Sequence, residues 1–176
     1  MSLELEGKIL EVSEEQLLPK LEVLWAVETF RWKLTAVWMQ DTNSGKKLRI
    51  RDEDSLWTIV EQKLDAEKID GIKKCREIPM KVENYQEAIN FFKHLWFQVI
   101  SKSVKNRVSY LLDKEKEIKV EFDKYLLLDG RDDIPEFLEI EAKSIEDIYA
   151  TVQKLWFQKT DIKDWWVTEL LNHYNI

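Results

Sequence analysis

Polar and apolar side chains alternate along several stretches of this chain, and the alternation is charged. In the first stretch Glu4, Glu6 and Lys8 interleave with Leu3, Leu5 and Ile9. Successive side chains of a strand point to opposite faces, so each row of charges at two-residue spacing marks one face of a strand. Arg49 and Arg51 form such a row against Leu48 and Ile50, Lys105 and Arg107 against Val104 and Val108, and Lys119, Glu121 and Asp123 against Ile118, Val120 and Phe122. Glu139 and Glu141 oppose Leu138 and Ile140, and Glu61 with Lys63 makes a weaker sixth row. Strand-like runs are predicted over residues 3–9, 28–40, 47–51, 55–63, 71–82, 103–112, 117–125 and 137–143. Asp41 to Gly45 reads as a turn.

Three further segments share a different layout. Ser13, Asn84 and Ser144 can each cap a helix, with Gln16, Glu87 and Asp147 three residues on. Each predicted helix then reaches Leu-Trp at one spacing, as Leu24-Trp25, Leu95-Trp96 and Leu155-Trp156. Pro19 removes a backbone donor, which moves the expected start of the first helix toward that residue. Residues 161–174 read as a closing helix. The recurring Trp positions are expected to pack these helices on a sheet. His94 and His173 lie in or beside helices without a second imidazole or Cys nearby and carry no expected function.

The pattern therefore predicts an α+β fold in one domain, 1–176, with an antiparallel sheet of about eight strands and helices outside it. Composition narrows the chemistry. The chain has 176 residues, a formal net charge of −7 and only 4 Gly, so widely spaced that neither a dinucleotide fingerprint nor a phosphate loop can be assembled. One Cys and two His exclude a disulfide within the chain and argue against a Cys/His zinc site. No signal-like N-terminus or long apolar run is present, so a cytoplasmic protein that engages neither membrane nor, given its acidity, nucleic acid is expected.

Five or six charged rows on one sheet raise the question of where that face goes. If the sheet curls around it, the result is a barrel with a charged lumen and an apolar exterior covered by helices. Such a lumen must hold water, internal ion pairs or a charged substrate with its metals, because unpaired buried charge is costly. Carboxylates select Mg2+ or Mn2+, while Arg and Lys complement phosphate oxygens. Together these describe a polyphosphate site, whose chemistry needs positioning and charge neutralisation more than a protein nucleophile.

At these residues the sequence resembles the CYTH family, the triphosphate tunnel metalloenzymes. The family signature Glu-x-Glu-x-Lys is matched by Glu4, Glu6 and Lys8. The similarity continues in order through Arg49 and Arg51, Lys63, Lys105 and Arg107, Asp123, and Glu139 with Glu141. The resemblance implies an eight-stranded antiparallel β-barrel, the triphosphate tunnel, in which Lys8, Arg49, Arg51, Lys63, Lys105 and Arg107 bind substrate. By the same resemblance Glu4, Glu6, Asp123, Glu139 and Glu141 hold Mg2+ or Mn2+, and Lys8 and Asp123 take catalytic roles.

The chain also departs from the family pattern. Arg76-Glu77-Ile78-Pro79-Met80 keeps one of the two spaced acids expected after an Arg, and Trp stands where many relatives have a helix-ending Gly. Because Trp adopts left-handed backbone less readily than Gly, those helix ends are expected to differ. The cyclase-like tail survives only as Thr168-Glu169-Leu170-Leu171. The leading expectation is hydrolysis of a triphosphate such as ATP, thiamine triphosphate or tripolyphosphate, by a monomer or homodimer. Class IV adenylate cyclase chemistry is the close alternative, and a catalytically silent binder of polyphosphate or nucleotide is the third.

Overall fold

The alternating segments do form strands, and the strands close on themselves. The computed structural model describes residues 2–54 and 56–174. Its strands are β1 (Ser2–Ile9), β2 (Val27–Asp41), β3 (Lys47–Glu53), β4 (Trp57–Ile69), β5 (Ile72–Val82), β6 (Phe97–Asp113), β7 (Ile118–Leu128) and β8 (Phe137–Ala142). They form a closed barrel in the order β1-β5-β4-β3-β2-β6-β7-β8, with every pairing antiparallel. All eight expected strands are present. Ser55, where the fourth was expected to begin, lies outside the described residues. That strand runs on past Lys63 to Ile69 because Asp70 and Gly71, both at positive φ, supply a two-residue hairpin turn onto β5.

Closure sends the charged rows inward and the apolar rows outward. Helices α1 (Glu14–Val23) and α3 (Ile145–Lys154) cover one side of the exterior, where Leu17, Leu21, Ile148 and Val152 pack on Leu5, Val120, Phe122, Leu138 and Ile140. Helix α2 (Tyr85–His94) covers another, with Ala88 and Ile89 against Val37, Met39, Leu48, Ile50 and Val60. Helix α4 (Val167–Tyr174) has a different role, since its Leu170 packs with Tyr125, Leu128, Ile134 and Phe137 at one end of the barrel.

The caps act where the sequence places them. Ser13, Asn84 and Ser144 accept hydrogen bonds from the backbone N–H groups of Gln16, Glu87 and Asp147. Helix α1 begins at Glu14 and carries Pro19 inside it, contrary to the expected later start. The reciprocal Ser13–Gln16 capping box sets its beginning, and Pro19 removes only its own N–H from the ladder.

The tryptophan expectation is overturned. Trp25, Trp96 and Trp156 are 87%, 70% and 80% exposed, so they do not pack the helices on the sheet. Each takes left-handed backbone, with φ of 55°, 69° and 69°, as a Gly at that position would. Two of the turns are Schellman motifs. Trp25 N–H donates to Glu22 and Ala26 N–H to Leu21, and Trp156 and Phe157 repeat the pattern on Gln153 and Val152. Satisfying the last helix carbonyls offsets the backbone cost, and the left-handed turn swings each indole away from the core.

The closing helix begins at Val167 instead of residue 161. Before it, residues 159–161 form a 3-10 turn and Lys163 pairs through its backbone with Lys8. The Glu169 carboxylate then accepts from Trp166 N–H and starts α4. Two glycines admit this crossing chain. A Cβ on Gly7 would stand 2.6 Å from Ile162 Cγ2, and one on Gly71 would stand 3.3 Å from the Ile162 carbonyl oxygen. Among the described residues no helix is long and apolar enough to cross a membrane.

Candidate active site

The barrel encloses a cavity of about 340 Å3 whose wall gathers residues from all eight strands. Glu4, Glu6, Lys8, Arg49, Arg51, Lys63, Lys105, Arg107, Glu139 and Glu141 all border it, so strand parity brings ten of the expected site residues into one chamber. One end is stopped by Trp165, Trp166, Val167 and Leu170. At the opposite mouth stand Leu3, Glu117, Lys119 and Lys143.

Charges inside are interleaved rather than segregated. The Lys8 ammonium lies 2.6 Å from Glu139 and also bonds Glu6, while Lys63 bridges Glu4 at 2.7 Å and Glu77 at 2.8 Å. Burial disfavours charge on both lysines. For Lys8 the carboxylates of Glu139 and Glu6 outweigh it, and for Lys63 those of Glu6 and Glu4 do, so both hold their protons more firmly than usual. Burial prevails at Lys73 and Lys105, whose pKa values fall. Glu6 feels the same burial, but Lys73 and Lys8 bring it down to about 2.

Two carboxylates stand behind the basic wall instead of on it. Asp123 is fully buried and does not border the cavity. Its oxygens receive Arg107 Nε at 2.7 Å, Arg107 Nη2 at 2.6 Å, and Lys105. It is absent from the groups of converging ligand atoms among the described residues, whereas the family resemblance implies it as a metal ligand. Glu61 plays the equivalent part for Arg49 and Arg51. In both places a short buried acid orients two long bases that reach past it into the chamber.

The remaining acids converge. Single oxygens of Glu4, Glu6 and Glu141 lie within 4.8 Å of one another, as do those of Glu121, Glu139 and Glu141. Glu141 belongs to both groups and has no hydrogen-bond or ion-pair partner among the described residues. Burial, then the like charges of Glu121 and Glu4, push its carboxyl well above the ordinary range. A hard divalent cation suits such an all-oxygen donor set.

The structure adds Lys73 and Cys75, which the sequence reading left out, beside Glu77, the acid it had noted in this strand. Lys73, Cys75 and Glu77 form the inward row of β5, where Cys75 Sγ donates to Glu4 at 3.0 Å and Lys73 lies 4.4 Å from the Trp166 ring. Arg76, the expected family position, points outward to Asp65 on the exposed surface. The two-residue spacing from Lys73 to Glu77 was the available signal, obscured by the adjacent Lys74 and Arg76. Glu121 was recognised as inward but not as a ligand candidate.

No protein-family model and no curated protein matches the chain. Solved structures do. The PH1012 protein of Pyrococcus horikoshii aligns with 22% identity over 95% of this chain and 98% of that one, at a TM-score of 0.77. A candidate adenylate cyclase from Vibrio parahaemolyticus aligns with 16% identity over 97% and 98%, also at 0.77. The fold is the triphosphate tunnel. A Hippeastrum protein, named as a candidate adenylyl cyclase with a dominant triphosphatase activity, shares this tunnel over 100% of this chain and 97% of its own, at 10% identity and a TM-score of 0.62. The architecture thus agrees with the CYTH resemblance of the sequence.

Proposed function

We propose that the tunnel hydrolyses a triphosphate with the help of Mg2+ or Mn2+. The observation that carries this reading is Glu141, a carboxyl that converges with four other carboxyls and forms no ion pair among the described residues. Glu4, Glu6, Glu121, Glu139 and Glu141 would hold the ion, which supplies charge neutralisation and polarisation of a phosphoryl oxygen. Lys8, Arg49, Arg51, Lys63, Lys105 and Arg107 bind the phosphate chain. The buried Nε donors of Arg49 and Arg51 lack acceptors, which suits them to anionic oxygens.

In hydrolysis water adds to the terminal phosphorus, the bridging P–O bond breaks, and the shortened phosphate chain leaves with its charge against these bases. Lys8, kept charged by Glu139 and Glu6, stabilises the charge that develops on the transferred group. Asp123 positions Lys105 and Arg107 and touches neither substrate nor ion.

Incubation with ATP, tripolyphosphate and thiamine triphosphate in Mg2+ or Mn2+, followed by product identification, tests the proposal. Metal-dependent release of orthophosphate is expected. Cyclic AMP with pyrophosphate would assign a cyclase instead, and tight binding without turnover under either metal would leave a silent binder.

A further inference from the structure

Arg49 and Arg51 leave β3 on the same face and share one carboxylate, Glu61 of β4, yet they meet different neighbours on β2. The register sets the apolar inward row of β2 against them, with Ala36 opposite Arg51 and Trp38 opposite Arg49. Beside the small Ala36, the Arg51 side chain borders both the main chamber and a second cavity of about 230 Å3 at the open mouth, which Phe30, Glu53 and Lys119 also line. Of these two cavities Arg49 borders only the first. Its guanidinium lies 5.4 Å from the centre of the Trp38 ring, within cation–π range, and Trp38 is itself part of the chamber wall.

The two flanks of Arg49 hold it by different means. On the β4 side the buried Glu61 offers an opposite charge, and among the described residues it is the single acid paired with Arg49. On the β2 side the indole face attracts the guanidinium through its quadrupole and adds no negative charge. Other bases of the chamber are more fully matched. Lys8 pairs with Glu6 and Glu139, Lys63 with Glu4 and Glu77, and Arg107 with Glu121, Asp123 and Glu139. A second carboxylate at position 38 would cancel the charge that Arg49 presents to an anion, whereas Trp38 restrains the side chain and leaves that charge in place. The Arg49 Nε donor is buried and has no acceptor, which leaves it for an anionic oxygen. We propose that Trp38 is a positioning residue that stacks on Arg49 and aims its incompletely neutralised guanidinium at the phosphate chain. This inference rests on the reading of the tunnel as a triphosphate site.

The test compares kcat and KM for ATP and tripolyphosphate, with Mn2+ present throughout, in wild type, Trp38→Ala, Trp38→Leu, Trp38→Phe, Arg49→Ala and the double variant Trp38→Ala with Arg49→Ala. Trp38→Ala is expected to lower kcat/KM about tenfold on both compounds, mainly through KM, the scale of a partly buried cation–π contact. Trp38→Leu, which keeps apolar bulk without a π face, should lose as much, and Trp38→Phe should recover most of the loss. In the Arg49→Ala background, removing Trp38 should cost no more than about twofold, because Trp38 acts through Arg49. Losses that multiply in the double variant, or a Trp38→Leu variant as active as wild type, would overturn the positioning role while leaving the tunnel reading intact. Because leucine fills the site, that second comparison decides even where alanine unfolds the barrel. A wild type that neither binds nor turns over either compound would overturn both readings.

Discussion

Arg107 grips Asp123 at two points, Nε to Oδ1 at 2.7 Å and Nη2 to Oδ2 at 2.6 Å, beneath the floor of the tunnel. Lys105 bonds the same carboxylate, so one buried acid is shared by two bases, of which Arg107 also pairs with Glu121 and Glu139. Asp123→Asn would leave Arg107 and Lys105 repelling each other, a loss of about 3 kcal/mol by analogy with other broken buried pairs. Urea unfolding should show this loss. Tripolyphosphate should raise the melting temperature of the variant more than that of wild type, because it restores an anion beside the two bases. Unchanged unfolding would contradict the backing role given to Asp123.

Arg51 reaches both cavities, and its Nε has no acceptor. Arg51→Ala should reduce kcat/KM for any triphosphate about a hundredfold, as removal of a charged donor from a phosphoryl site does. Arg31 is the matched control. It sits on the outer surface, bound to Glu14 and Glu28. Arg31→Ala should leave turnover at the wild-type level, and comparable losses in the two variants would refute the clamp.

Glu141 offers a test of the ion site that does not depend on turnover. Glu141→Gln removes one member of a crowded set of acids, so the metal-free protein should be at least as stable as wild type, with weaker Mn2+ binding by calorimetry. Undiminished Mn2+ affinity would remove Glu141 from the ligand set.

The crossing of the C-terminal segment over β1 depends on a missing side chain. Gly7→Ala would drive a methyl into Ile162, a misfit worth about 1–3 kcal/mol in a packed core. Adding Ile162→Ala should recover part of the loss if the clash is its cause. A purely additive double variant would place the cost elsewhere.

Alkaline stability depends on the tyrosines, since the fold raises the pKa values of Tyr85, Tyr110, Tyr125 and Tyr174. Burial, with Glu14 accepting its hydroxyl hydrogen bond, pushes Tyr110 up to about 12, and burial beside Asp52 does the same for Tyr85. Each holds its proton more tightly folded than unfolded, where the value is about 10. Their contribution is therefore complete below about pH 10 and is lost as the pH rises toward about 12. Urea midpoints across that range should fall, and Tyr110→Phe should fall less steeply. Parallel slopes would sink this assignment.

Strand parity and helix caps are local properties, and both were legible in the chain. Two-residue spacing placed Glu4, Glu6 and Lys8 with Arg49, Arg51, Lys105, Arg107, Glu139 and Glu141 on one face, and Ser13, Asn84 and Ser144 announced three helices. Parity says which side of a strand a residue occupies, but not how far its side chain reaches or what lies opposite. Asp123 and Arg107 share the inward face, yet the short carboxylate ends in the wall while the longer guanidinium enters the chamber. The repeated Leu-Trp pairs looked like packing positions, and a left-handed turn after each Leu sent the indoles into solvent. Lys73 and the stopper at Leu170 became part of the site through barrel closure and the return of the C-terminal segment, contacts between residues far apart in the chain. The apolar row of β2 is visible in the sequence as residues, but the placement of Ala36 opposite Arg51 and of Trp38 opposite Arg49 arises from the register between strands.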